Sequence, residues 1–496
     1  MNLDPNWVPM KWPCGPLEWA RRSKSKNAGA ELKETLEAWA QPAALDLLTG
    51  TPVNCLVVEW AEGAPEDSAQ QLALKPLLEA GRRRAITFVG RVAAGEGAAA
   101  AVTSAREAGL SAVVLAEPHT HSFDLPVIAQ FPRDKVAWES ATRIFSSTGN
   151  EWPGLKLETM SGDTAIAGPT GIPWVNSNAW SSLLSEERAP GKTRWLDFDP
   201  PEVSSAAHPA NYALAVADSQ AYGSRWIISL GDSVRAALLK GDPQATSVWS
   251  KTCETLSFFA NHREWEAFPS QGVLAVVSDF RPDNASVGGE VLNLLNRRRV
   301  QFRVMERSRA LSTPALGLKA MLWLDQDAPS SGQLAKLLAF VRQGGLVIAT
   351  AYWGPSGIVP KNRDPSRDYK MYNIGQGQIA VSVEGFQDPY QVAMDAHLLM
   401  SRRYDLVRLF NPESTNCHLS FDPARKRWLV QILNYSSTAV SFVTLWVNTH
   451  ARSARLWSPG AGDSVSIPGV PAAPGTEFAL PTLAVNCALE VEGPNP

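Results

Sequence analysis

Over the first 270 or so residues, short apolar runs alternate with longer amphipathic stretches, and this alternation constrains the fold more than any other feature of the chain. "VNCLVVEW" (53–60) is almost continuously apolar, as a parallel strand covered on both faces must be. It is followed by "SAQQLALKPLLEAGRRR", which has helical spacing, then by the strand-like "AITFVGRV" and the helix-like "EGAAAAVTSAREAGL", with Gly109 placed to end the helix. Repeated strand–helix units of this kind build parallel α/β architectures. The spacing predicts strands at Val8–Trp12, Val53–Trp60, "AITFVGRV", "SAVVLAE", "PVIAQF", Ile172–Asn178, Thr193–Asp199 and Arg225–Asp232; the stretch "DKVAWESATRIFSSTGNEWPG" fits no element. Eight strands with intervening helices in one domain-sized segment fit a (β/α)8 barrel, which typically takes about 250 residues. An open doubly wound sheet is the competitor, but the glycine-rich phosphate loop that such sheets carry after an early strand is absent.

The pattern changes twice further on. From Gly272, "GVLAVVSDF", "GGEVLNLLNRRRV", "QFRVMER", "LKAMLWLDQ", "SGQLAKLLAFVRQGG" and "LVIATAYWG" read as a small flavodoxin-like α/β domain, with Gly344 and Gly345 as a helix C-cap and turn. From Asn416 onward, strand-like segments separated by Pro-, Gly- and Ser-rich turns predict an antiparallel β-sandwich. The expected domains are a barrel over 1–268, a flavodoxin-like domain over 269–400 and a sandwich over 401–496.

A net charge of −3 argues against a nucleic-acid partner, and no apolar run is long enough to span a membrane. The N-terminus lacks the basic and apolar regions of a signal peptide, which favours a cytoplasmic over a secreted or periplasmic compartment. The five cysteines are widely spaced and show no metal pattern, so they read as reduced core thiols, with Cys14–Cys55 the pair that could bridge. No cofactor motif occurs and no metal is expected, because His119 and His121 lack a third ligand at suitable spacing.

Barrel chemistry gathers at the C-terminal ends of the strands. There the sequence offers Glu59 and Trp60, Glu117 and His119, Asn176 and Asn178, Asp197 and Asp199, and Asp232. The chain also has 18 tryptophans, and Trp12, Trp60, Trp174 and Trp180 fall near predicted strand ends, where indoles can stack on sugar rings. Acids, amides and indoles around one cavity are what glycoside hydrolysis uses: one carboxyl protonates the leaving oxygen and a second attacks or activates water. Each acid also has a structural reading. Glu59 could pair with Arg91, Glu117 could cap the next segment, one of Asp197 and Asp199 could bind its own loop, and Asp232 could be a helix N-cap.

Barrel, flavodoxin-like domain and sandwich in this order resemble the family 42 β-galactosidases and related barrel glycoside hydrolases. "VVSDF", "GGEVLNLLNRRRVQFRVM" and "LLAFVRQGGLVIAT" are similar to that family's middle domain, and "RWLVQILNYSSTAVSFVTLWV" to its C-terminal sandwich. The resemblance implies an acid/base Glu at the end of strand four and a nucleophilic Glu ending strand seven. Glu117 matches the first place, although Ala116 stands where the family has Asn; the second holds Asp197-Phe198-Asp199. The resemblance also implies a carbohydrate substrate and a homo-oligomer, dimer or trimer. The reading is a glycoside hydrolase with Glu117 as acid/base, Asp199 or Asp197 as its partner, and Trp12, Glu59, Trp60, His119, Trp174, Asn176, Asn178, Trp180 and Asp232 as sugar contacts. A non-catalytic carbohydrate-binding barrel and a non-hydrolytic barrel enzyme are the alternatives.

Overall fold

The structure is a computed structural model that describes residues 3–24, 29–116, 123–133, 143–155, 158–160, 163–165, 175–201, 208–309, 317–362 and 369–494. The chain divides into two compact units, one of Met1–Gly154 with Ala189–Glu266, the other of Leu155–Arg188 with Ala267–Pro496.

The first unit is a parallel barrel. Its strands are β1 (Pro9–Lys11), β2 (Cys55–Ala61), β3 (Thr87–Val92), β4 (Ala112–Ala116), β5 (Val127–Pro132) and β6 (Ile144–Thr148). After β7 (Gly154–Leu155), β8 (Glu158–Met160), β9 (Asp163–Ala165) and β10 (Val175–Asn176), all in the second unit or at its border, come the last two barrel strands, β11 (Thr193–Leu196) and β12 (Arg225–Trp226). The sheet order is β1-β2-β3-β4-β5-β6-β11-β12. A parallel bridge between Met10 and Ile228 joins its two edges, with Lys11 N–H donating to Ile228 C=O at 2.8 Å and Ile228 N–H to Pro9 C=O at 2.9 Å. Helices such as Asp67–Arg83 and Ala98–Glu107 lie between strands; the second ends with Gly109 at φ 77°, the left-handed cap expected of it.

One strand assignment needs correction. The sixth barrel strand is Ile144–Thr148, inside the stretch that fitted no element, whereas Val175–Asn176 pairs with β7 in a separate two-stranded sheet. "IFSST" hides because it is short and half polar: Ser146 and Ser147 are buried but carry no apolar signal.

Period-two alternation defines the barrel interior. Cys55 and Val57, Val89, Ala112 and Val114, Ile128, Ile144, Trp195 and Ile227 meet in one buried cluster. The next inward position on each strand, toward the C-terminal end, is Glu59, Arg91, Ala116, Gln130 and Ser146, and on β1 and past β11 it is Lys11 and Asp197. An apolar plug therefore supports a polar upper ring.

In the second unit, β13 (Leu274–Ser278), β14 (Phe302–Glu306), β15 (Ala320–Trp323), β16 (Leu346–Ala349), β17 (Lys361–Asn362), β18 (Tyr369–Ile374) and β19 (Gly377–Ser382) form one sheet of order β14-β13-β15-β16-β19-β18-β17. Its first five members are parallel, and β18 and β17 extend it antiparallel. The remaining strands form two antiparallel sheets. One holds β20 (Val407–Phe410), β23 (Thr444–Val447), β26 (Val470–Ala472) and β27 (Gly475–Ala479); the other holds β21 (Thr415–Asp422), β22 (Arg427–Asn434), β24 (Ser453–Trp457), β25 (Val465–Pro468) and β28 (Asn486–Glu492). This is the expected sandwich, and one continuous apolar core runs from Leu274 and Leu322 through Leu419 and Val430 to Leu489.

Candidate active site

The upper ring of the barrel is built from side chains that strand parity aims inward. Asp197, just past β11, is 7% exposed and fully engaged. Lys11 Nζ lies 2.5 Å from its Oδ1, Arg91 Nη2 donates to its Oδ2 at 2.8 Å, and Gln130 Nε2 donates to the same oxygen at 3.1 Å. Burial would push the Asp197 carboxyl up, but Arg91 and then Lys11 outweigh it and hold the group below the ordinary carboxylate range. Asp199, two residues on, accepts from Lys11 Nζ at 2.7 Å and from Ser229 Oγ at 2.5 Å, and its side chain is 64% exposed. Lys11 thus bridges both aspartates, whose shared parity turns them to the same side.

Glu59 differs. Among the described residues its carboxyl has long ionic contacts, 3.8 Å to Arg91 Nε and 3.6 Å to Arg21 Nη1. Burial raises it above the usual range; Arg91 and Arg21 oppose that, while Glu18 and Glu62 add to it. One guanidinium, that of Arg91, therefore touches two carboxyls that their surroundings push in opposite directions. A second ionic chain continues from Arg21: Glu18, fully buried, accepts from Arg21 and Arg22, Arg22 also binds Asp232, and Arg235 closes on Asp232. Burial would raise Asp232, but Arg235 and Arg22 bring it below its ordinary value. Asp232 is the first residue of the helix Asp232–Leu239, with Gly231 at the N-cap, so its work is ionic rather than the capping role considered for it.

Several expected contacts stand elsewhere. Trp12 and Trp60 are each 1% exposed. Trp12 packs on Trp39 at 4.3 Å and donates to its carbonyl; Trp60 donates to Ser104 Oγ on the covering helix. Each follows an inward residue, Lys11 or Glu59, so alternation turns it outward beneath the helices and it offers no stacking face. Asn176, Asn178 and Trp180 belong to the second unit, where Asn178 is buried ahead of the helix Ala179–Arg188 and the Trp180 ring lies where a Cβ on Gly289 would meet it at 3.1 Å. Asn176 and Asn178 leave the expected sixth barrel strand because Val175–Asn176 pairs with β7 and not with a barrel strand. Glu117, His119 and Trp174 lie outside the described residues.

The expected site holds the acids of the strand ends but not the cations that pair with them. Lys11, Arg91 and Gln130 are all inward by parity, and that signal was available once the strands were aligned. Cys14 and Cys55 are buried free thiols, each pushed up by burial, Cys14 to about 12. Among the described residues, no cluster of three or more His, Cys, Asp or Glu could hold a metal ion, and no helix is long and apolar enough to cross a membrane.

No family model and no curated protein matches the chain. Solved structures do. The α-L-fucosidase isoenzyme 2 from Paenibacillus thiaminolyticus is similar over 99% of this chain and 100% of its own, with a TM-score of 0.59 and 11% identity. A GH42 β-galactosidase from G. stearothermophilus (86% of this chain, 67% of its own; TM-score 0.38; 10% identity) and the β-galactosidase from Bacillus circulans sp. alkalophilus (98% and 89%; 0.37; 9%) are more distant. The chain has a barrel fold of the kind found in glycoside hydrolases; the likeness is one of fold and does not single out family 42.

Proposed function

We propose that the chain is a glycoside hydrolase that cleaves a glycan or oligosaccharide with two carboxyls at the barrel mouth. Glu117 is the general acid/base. Asp199 is its better partner than Asp197, because a substrate can reach a side chain that is 64% exposed, whereas Asp197 is enclosed by Lys11, Arg91 and Gln130. Asp197 then braces Lys11, and through it the position of Asp199. The observation that carries the reading is this pair of aspartates on one lysine at the end of the seventh barrel strand. Glu59, Asp232 and His119 are proposed as sugar-contacting groups. In the same reading the three segments 1–268, 269–400 and 401–496 are barrel, flavodoxin-like domain and sandwich, and the middle one supports a homo-oligomer.

A second reading, a sugar-binding barrel without turnover, is favoured by one feature: each of Glu18, Glu59, Asp197, Asp199 and Asp232 has a cation within 4.0 Å. An acid so neutralised is a poor nucleophile unless substrate displaces its partner. The test is hydrolysis of a panel of aryl glycosides, beginning with 4-nitrophenyl α-L-fucoside and β-D-galactoside, by the wild-type protein beside Glu117→Gln and Asp199→Asn. Turnover that falls by orders of magnitude in both variants, with sugar binding kept, supports the hydrolase. Binding without turnover in the wild type selects the second reading, and turnover indifferent to both changes removes these residues from the mechanism.

A further inference from the structure

Two donors hold Asp199, and both come from the seam that closes the barrel. The parallel bridge between Met10 and Ile228 leaves Lys11 and Ser229 each one residue beyond the paired positions. Ile227 belongs to the buried interior, so alternation turns Ser229, two residues further on, to the same side at the barrel mouth. β11 and β12 pair Leu196 with Trp226, and the same register carried three residues on sets Asp199 opposite Ser229. Ser229 Oγ donates to Asp199 Oδ1 at 2.5 Å, and Lys11 Nζ donates to the same oxygen at 2.7 Å. Among the described residues none donates to Oδ2.

The two donors differ in what they can fix. Lys11 carries a point charge on a flexible stem and is shared with Asp197 at 2.5 Å, so it attracts the Asp199 carboxylate without choosing between its oxygens. Ser229 has one hydroxyl on one rotatable bond, and the residue is buried. Its backbone is held on both sides. Ile228 N–H donates to Pro9 C=O at 2.9 Å, Gly231 N–H donates to Tyr212 Oη at 3.1 Å, and Asp232 is bound by Arg22 and Arg235. The residue before Asp199 is tied to the same strand, because Trp226 Nε1 donates to Phe198 C=O at 3.0 Å. The Asp199 side chain itself is largely exposed, so packing leaves its carboxylate free to turn about the Cβ–Cγ bond, a soft torsion. The serine hydroxyl stops that rotation. A carboxylate already held in one orientation need not be ordered as the transition state forms.

We propose that Ser229 is the positioning residue of Asp199: its hydroxyl binds Oδ1 and leaves Oδ2 as the oxygen that meets the substrate. This rests on the hydrolase reading above, with Asp199 as the partner of Glu117, and the test separates the two. Hydrolysis of the aryl glycoside panel is followed on the full chain for the wild type, Ser229→Ala, Ser229→Thr, Asp199→Asn and the double variant Ser229→Ala/Asp199→Asn, alongside the melting temperature of each. A hydrogen bond to a charged group is lost in Ser229→Ala, so kcat is expected to fall by about ten- to a hundredfold, with KM within about twofold of the wild type. Ser229→Thr keeps the hydroxyl and recovers most of the loss. In the Asp199→Asn background Ser229→Ala costs nothing further, because the serine acts only through that carboxylate. A wild-type kcat in Ser229→Ala overturns the positioning role and leaves the hydrolase reading standing. So does a loss in Ser229→Ala that recurs in full on top of Asp199→Asn, since the serine would then act elsewhere. Turnover that is indifferent to Asp199→Asn, or no turnover of any glycoside by the wild type, overturns both.

Discussion

Arg91→Met tests the electrostatic design of the barrel mouth most directly. The change keeps much of the aliphatic stem and removes the guanidinium that donates to Asp197 at 2.8 Å and lies 3.8 Å from Glu59. Removing one partner of a buried ion pair costs about 3–5 kcal/mol, because the other charge stays buried and unpaired. Asp197 keeps Lys11 at 2.5 Å and Gln130 at 3.1 Å, which places the expected cost near the lower end, about 3 kcal/mol. For a unit of this size, that is a drop of roughly 6–12 °C in its melting transition at pH 7. The pH dependence has a definite sign. The Asp197 carboxyl is held below its ordinary value, so its stabilisation is present above the unfolded-state pKa of about 3.9 and is lost as pH falls through the lower folded-state value. Without Arg91, burial is less opposed and the carboxyl moves up, so the deficit of the variant shrinks as pH falls toward 4. Calorimetric melting of the wild type, Arg91→Met, Asp197→Asn and the double variant at pH 7 and pH 4 gives the coupling. A double variant about 2 kcal/mol better than additive is expected at pH 7. Additive losses, or a deficit that does not change with pH, would refute the argument that Arg91 holds a buried anion.

Other outcomes follow from the same physics. Glu59 is raised by burial, so its contribution to stability is full below the unfolded value of about 4.3 and is lost as pH rises through the folded one; Glu59→Gln should flatten the melting profile between pH 4 and 8 and raise it at the upper end. An unchanged slope would contradict this. His418, buried beside Ser270 Oγ at 3.2 Å, is pushed down by that burial to about 4, so stability is lost as pH falls below about 6.5; His418→Gln should remove part of that acid limb in scanning calorimetry of the second unit's transition. At Gly377 a Cβ would sit 2.1 Å from Val341 O and 2.3 Å from Gly345 O, both backbone, so Gly377→Ala should cost at least about 3 kcal/mol and show as lost soluble yield and a lower melting point.

Much of the architecture was legible in the sequence because strands and helices leave periodic marks. β2, β3 and β4 are apolar runs bounded by helices of clear spacing, and the antiparallel strands of the C-terminal sheets alternate between turn-rich segments. Strand-end acids were legible for the same reason: Asp197 and Asp199 share a parity, and it carries both to Lys11. Tertiary structure alone decided the rest. Which short run takes the sixth place depends on its pairing with β5 on one side and with β11, about 45 residues further along the chain, on the other, so "IFSST" is the sixth strand although its own composition says little. Whether an indole lies under a helix or faces a cavity depends on register, and one residue of register separates Trp60 from Glu59. Asp197 is held below its ordinary range by cations delivered from other strands, Arg91 and Lys11. Coulombic coupling falls off over a few ångströms of space, and distance along the chain, which is all a sequence records, does not measure it.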